Sequence, residues 1–130
     1  MNDPKLIFVV DDDPIVNLMV SSRFKAEGYK VDTFDYGESC IEALGRRPDL
    51  IILDYYFVKS NQKVMNGMEA FDKIKELRPD IPVIMLSGQE KGEVVLELAR
   101  KGIVDYIIKD NNLIDNLRSA VNELFENQQV

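Results

Sequence analysis

Residues 6–14 read LIFVVDDDP, five apolar residues followed by three acids and a proline. The run from Leu6 to Val10 is too short for a helix and is rich in the apolar, β-branched residues of buried strands. Asp13 followed by Pro14 then reads as the N-cap and first position of a helix. A buried strand that empties through acids into a helix is a βα unit, and the rest of the chain repeats it. Leu50 to Leu53 and Pro82 to Leu86 are further interior strands. Val31 to Phe34 is mixed with polar residues and Tyr106 to Ile108 is very short, so both suit sheet edges. Between the strands lie amphipathic stretches, such as Met68, Phe71, Ile74 and Leu77, or Leu113, Leu117, Ala120, Val121 and Leu124. Gly28, Gly45 and Gly102 stand where helices 1, 2 and 4 should stop.

Strict alternation with long crossovers implies parallel strands joined by right-handed connections. Five units are too few for the eight-stranded barrel. The expected fold is therefore α/β, a flavodoxin-like five-stranded doubly wound parallel sheet in the order 2-1-3-4-5. Ligands bind such sheets in the crevice at the carboxyl ends of strands 1 and 3.

With 130 residues, 45% of them apolar, the chain is expected to form one domain over residues 1–130, with 127–130 a frayed tail or the start of a linker. Sixteen Lys and Arg against 23 Asp and Glu leave a net charge of −7, and no basic patch collects, which argues against direct nucleic-acid binding. The single cysteine, Cys40, has no internal partner, and the absence of histidine removes the usual zinc signatures and His-based nucleophilic triads. No apolar run approaches the roughly 20 residues that span a bilayer, and Met1 to Lys5 do not open a secretory signal. A cytoplasmic location without membrane association is the expectation.

Parallel strands would bring Asp11 and Asp12, Asp54, Ser87 and Lys109 to one edge of the sheet. Clustered carboxylates raise one another's pKa unless a cation neutralises them. Mg2+, or Mn2+ in its place, is the natural occupant, with Asp12 and Asp54 as the first choice of direct ligands and Asp11 holding water or orienting the ion. The carboxylate of Asp54 can attack phosphorus and form an acyl phosphate without first losing a proton. Lys109 and Ser87 would draw charge from the transferred oxygens.

VVDDDP at 9–14, LIILD at 50–54, IMLSG at 84–88 and YIIK at 106–109 together resemble the four signature segments of response-regulator receiver domains, over nearly the whole chain. The resemblance implies that Asp11 and Asp12 are the acidic pair, Asp54 the phosphoacceptor, Ser87 the switch hydroxyl, Lys109 the conserved lysine and Tyr106 the switch aromatic. The backbone carbonyl of Tyr56 would complete the metal ligands. It implies a two-component phosphorelay, with a sensor histidine kinase or histidine phosphotransfer protein as donor, and a downstream protein, a fused output domain or a phosphorylation-dependent dimer as readout. On this reading the chain is not an enzyme beyond phosphotransfer to its own Asp and slow autodephosphorylation.

Two departures stand out. Gly67 lies thirteen positions after Asp54, about four more than is usual for the family, so residues 55–66 carry an enlarged loop beside the site. The usual proline after the lysine, often in a cis peptide, is Asp110. A cis bond before a non-proline costs roughly 2.5–4 kcal/mol, so both a trans path and a strained cis bond are open. Two other functions compete: an aspartate-nucleophile, Mg-dependent phosphatase, for which Asp11 and Asp13 have the right spacing but the chain little room for a substrate cap, and a receiver-like module that only binds a partner. Asp13 alone would explain a helix cap, Ser87–Gly88 a turn, and Lys109 an edge-strand charge.

Overall fold

The computed structural model describes residues 3–55, 65–88 and 92–128. In chain order these form β1 (Leu6–Val10), α1 (Pro14–Ala26), β2 (Lys30–Phe34), α2 (Gly37–Glu42), β3 (Leu50–Asp54), α3 (Gly67–Leu77), β4 (Val83–Ser87), α4 (Gly92–Lys101), β5 (Asp105–Ile108) and α5 (Leu113–Asn127). All strand pairs are parallel, as the alternation predicts, and the sheet order is β2-β1-β3-β4-β5, that of the expected flavodoxin-like fold.

Side chains of a strand alternate between the two faces of its sheet, and here the alternation divides the core in two. Ile7, Val9, Leu50, Ile52, Ile84 and Leu86 pack with residues of α1 and α5. Phe8, Val10, Ile51, Leu53, Val83 and Met85 pack with residues of α2, α3 and α4. Covering both faces is what makes the central strands read as unbroken apolar runs. The edge strands β2 and β5 have mixed burial, for the same reason.

The cap of α1 is as expected: Asp13 Oδ1 accepts the N–H of Ile15 at 2.9 Å, and Pro14 opens the helix. Gly28 and Gly102 take the left-handed conformation after α1 and α4, with φ of 97° and 96°. Gly45 does not play this part. It lies inside a 3-10 turn, Leu44–Arg46, and the left-handed residue is Arg47 at φ 61°. Pro48 follows Arg47, and a residue before proline is pushed out of the right-handed helical region. The chain must therefore leave the helix at Arg47. In α3 the buried face is Ala70, Phe71 and Ile74, while Leu77 at its end stays exposed; in α5 the buried stripe continues to Phe125. The last helix runs through Asn127, and residues 129–130 lie outside the described residues. None of the described helices is long and apolar enough to cross a membrane.

Cys40 is a core residue of α2, fully enclosed, and burial pushes its thiol up to about 12. An unfolded thiol titrates near about 8.5. The folded state thus keeps the proton longer, and the associated stability is intact below that value and is lost as pH rises towards 12. Labelling by an aromatic disulfide reagent at pH 8 is expected to be about a hundredfold slower in the native protein than in urea, because the thiolate is the nucleophile. Equal labelling rates would contradict this burial.

Candidate functional site

The three acids after β1 have three different surroundings. Asp11 continues the strand direction, its N–H donating to Phe34 O at 3.0 Å. Its Oδ1 accepts the N–H of Asp13 at 2.9 Å, and its side chain is completely buried. Asp12 is half-buried, and Asp13 faces outward as the helix cap. Asn17, one of two polar residues on the buried side of α1, donates from Nδ2 to Asp11 O at 2.7 Å and to Phe34 O at 3.2 Å. It thereby ties the acid loop to β2. A polar residue between Val16 and Val20 on an apolar face is the only sequence signal for this role.

Asp54 ends β3 and is buried. The next peptide is clamped: Tyr55 N donates to Leu86 O at 2.8 Å, and Tyr55 O accepts from Gly67 N at 3.0 Å. A side chain at Gly67 would place its Cβ 2.5 Å from Asp54 O and from Tyr55 O, so only glycine permits this approach. Asn66 and Glu69 form a reciprocal cap at the start of α3, with bonds of 2.8 and 3.0 Å. The N–H of Met65 is held by Glu38 Oε2 at 2.9 Å. Between these anchors, residues 56–64 lie outside the described residues, and the expected carbonyl ligand of Tyr56 is among them.

Ser87 ends β4, fully buried, and its carbonyl accepts the N–H of Lys109 at 2.8 Å. Lys109 follows β5, and its ammonium crosses the carboxyl edge of the sheet to reach Asp11 Oδ2 at 2.6 Å and Asp54 Oδ1 at 2.9 Å. Lys109 is therefore no mere edge charge. Among the described residues there is no cis peptide, so the Lys109–Asp110 bond is trans. Tyr106 is half-buried on β5, and its hydroxyl is enclosed with no hydrogen-bond partner among the described residues.

Asp11, Asp12 and Asp54 each offer a carboxylate oxygen within 4.8 Å of the others. Burial raises the pKa of Asp11 by more than its bonds to Lys109 and to the Asp13 N–H lower it, and the charge of Asp12 adds to the rise. Burial works against the charge of Lys109 too. At the more open rim, however, its two carboxylate partners win and its pKa lies above the usual value. One ammonium thus leaves the acid cluster short of positive charge. Three hard oxygen donors in this state fit a divalent cation of the magnesium type.

The raised pKa of Asp11 ties stability to pH. Its folded form holds a proton more readily than the unfolded chain, so its ionisation costs stability as pH rises through the folded value. Asp11→Asn keeps the acceptor for Asp13 and removes the charge. We expect this variant to unfold at higher urea than wild type at pH 7 without divalent ions, and to lose the stabilisation that Mg2+ gives wild type. A lower urea midpoint in the absence of metal would refute the crowding.

The family model for the response regulator receiver domain matches residues 7–122. The nitrogen assimilation regulatory protein NtrX of Azorhizobium caulinodans is 35% identical over 107 residues, 82% of this chain and 23% of its own length. A protein-glutamate methylesterase/protein-glutamine glutaminase of Archaeoglobus fulgidus is 34% identical over 128 residues, 95% of this chain and 35% of its own. The response regulator TrrA of Thermotoga maritima, solved in complex with Mg2+–BeF, superposes with a TM-score of 0.76 at 27% identity, covering 92% of this chain and 98% of that one. The chain spans less than half the length of the curated relatives it matches first. The family match also removes support from the phosphatase alternative. With its sheet order, its acidic edge and its matched segment all in agreement, the chain belongs to the response regulator receiver family, whose members serve two-component signalling as phosphorylation-activated regulators.

Proposed function

We propose that this chain, as one receiver domain over residues 1–130, accepts a phosphoryl group on Asp54 and relays its presence to a protein-binding surface. The observation that carries the reading is the charge arrangement at the sheet edge: Lys109 bridges Asp54 and Asp11, with Asp12 alongside. An oxygen of Asp54 would form the new O–P bond while the donor's N–P bond breaks, and the leaving nitrogen of a histidine donor would take one proton from solvent to become neutral imidazole. Asp54 needs no deprotonation at neutral pH to act as nucleophile. Lys109 and the hydroxyl of Ser87 are proposed to hold the transferred oxygens. Asp11, Asp12 and Asp54, with the Tyr56 carbonyl, would hold Mg2+ or Mn2+; when bound, such an ion supplies positive charge to the transferring oxygens. That TrrA was solved with Mg2+–BeF supports this assignment.

Phosphorylation would give Lys109 a more highly charged partner than a carboxylate. The readout is proposed to pass through Ser87 to Tyr106, whose enclosed phenol has no acceptor among the described residues. Such a group forfeits about 1–3 kcal/mol, so the side chain gives up little polar interaction by swinging out. The domain would not turn over external substrates; any enzymatic activity of a relative such as the methylesterase is that protein's own. A cytoplasmic location, and a fused output domain, a downstream protein or a phosphorylation-dependent dimer as target, complete the reading.

The phosphodonor is proposed to be a sensor histidine kinase or histidine phosphotransfer protein that docks on α1. Ile15, Leu18 and Met19 are 70%, 67% and 44% exposed, and with Ile114 they line an open groove of about 650 Å³ between α1 and α5. This groove begins beside the acid edge, where a donor must place its phosphoryl group. Leu18→Glu is expected to slow transfer from phosphorylated histidine phosphotransfer domains about tenfold while leaving modification by acetyl phosphate unchanged, since only the protein donor needs the apolar contact. Equal slowing with both donors would exclude α1 as the docking face.

Acetyl phosphate with Mg2+ is expected to add one phosphoryl group to wild type and none to Asp54→Asn, whose amide is not a nucleophile of this kind. Intact-mass spectra showing equal modification of both proteins would end the assignment of Asp54.

A further inference from the structure

We infer that Asp110 is the positioning residue that sets the ammonium of Lys109 in the site, an inference that rests on Lys109 being the site's cation. Lys109 leaves the end of β5, yet its ammonium must meet carboxylates that follow β1 and end β3. The direction in which its backbone turns decides whether that span is possible. Asp110 makes the turn. Its N–H donates to Ile108 O at 2.9 Å, closing a three-residue turn centred on Lys109. Its carboxylate Oδ1 accepts the N–H of Asn112 at 2.8 Å, and its carbonyl accepts the N–H of Leu113 at 3.1 Å.

One residue therefore supplies three hydrogen bonds that join the end of β5 to the first turn of α5. The side chain of Asn112, at the N-cap position of α5, makes no capping bond, so the acceptors at this helix start come from Asp110 instead. An anionic side chain beside a helix N-terminus is also favoured by the helix dipole. Asp110 is exposed, which gives it no core to fill. Its side-chain hydrogen bond runs to the Asn112 backbone, so its route to the site is through the chain. Proline at this position has neither the N–H for the turn nor a side-chain acceptor for Asn112. This chain reaches the lysine geometry by hydrogen bonds that a proline excludes.

The test reads Lys109 directly. In nitrogen-15 spectra of lysine ammonium groups, Lys109 in the metal-free protein should give a shifted, slowly exchanging signal, as expected of an ammonium held by two carboxylates. In Asp110→Ala that signal should move towards those of free lysines. Phosphorylation by acetyl phosphate should slow by about threefold to tenfold, the factor one hydrogen bond commands. Asp110→Asn retains both the N–H and the side-chain acceptor and should resemble wild type in both readouts. In a Lys109→Ala background, Asp110→Ala should add no further slowing, because its effect passes through the lysine. An unmoved ammonium signal in Asp110→Ala, an Asn variant that behaves like Ala, or additive effects in the double variant would each overturn the inference. Failure of the underlying reading shows elsewhere, as modification of Asp54→Asn by the same donor.

Discussion

Two fully enclosed or nearly enclosed carboxylates share one ammonium at the carboxyl edge of the sheet, and the rest of the molecule is arranged around that electrostatic problem. A buried ion pair is weak evidence of stability, because removing its charges from water costs much of what their attraction returns. The direction of the Asp11 shift says the cost is not fully met here. What holds the carboxylates in place is therefore the sheet beneath them. Ile7 to Val10, Leu50 to Leu53 and Val83 to Leu86 are each completely buried, and parallel pairing aligns the ends of these three strands. The apolar core stabilises the fold, and the acid edge draws on that stability.

This division gives the site a rigid floor and an adjustable rim. Asp11 and Asp54 are set by strand backbone and by clamps such as Asn17 on the Asp11 carbonyl and Gly67 on the Tyr55 carbonyl. Lys109, in contrast, extends a long side chain from an edge strand and remains partly exposed. A ligand shifts an equilibrium only through groups that contact it differently in two states. On the proposed reading the fixed carboxylates would receive the charge, and the lysine shared between two of them is the group placed to change partner. Ser87 links the two parts, since its carbonyl holds the Lys109 N–H while its own side chain is buried at the same edge.

The fold was legible because its signals were local. The five residues Leu6–Val10 are bounded by Lys5 and Asp11, so the strand could be read to the residue, and the same contrast placed β3 and β4 within one position. The meeting of Asp11, Asp12, Asp54 and Lys109 at one edge was legible, since parallel alternation brings the residues that follow the strands to the same side. What escaped depended on tertiary neighbours. Nothing in the propensity of arginine marks Arg47 for a left-handed conformation; Pro48 only bars the right-handed helical one, and the residue sits at the end of the 3-10 turn. Asn17 becomes meaningful only once β2 brings Phe34 O beside Asp11 O. The sequence marks Lys109 as the cation of the edge, whereas its pairing with both Asp11 and Asp54 depends on how far three strand ends approach one another.

Each departure from the family pattern is bounded by a backbone hydrogen bond among the described residues. The enlarged segment after β3 begins at Tyr55 and ends at Gly67, and the bond between those two residues closes its base. Loop-closure entropy grows only slowly with length, about 0.6 kcal/mol for each doubling, so residues added beyond a closed base are tolerated cheaply. On the other side, Asp110 replaces a ring constraint with three hydrogen bonds. A ring limits the backbone in every state of the protein, whereas hydrogen bonds can be exchanged with water. The lysine loop of this chain is thus held by interactions that can break and re-form, at the position where the proposed change of partner would begin.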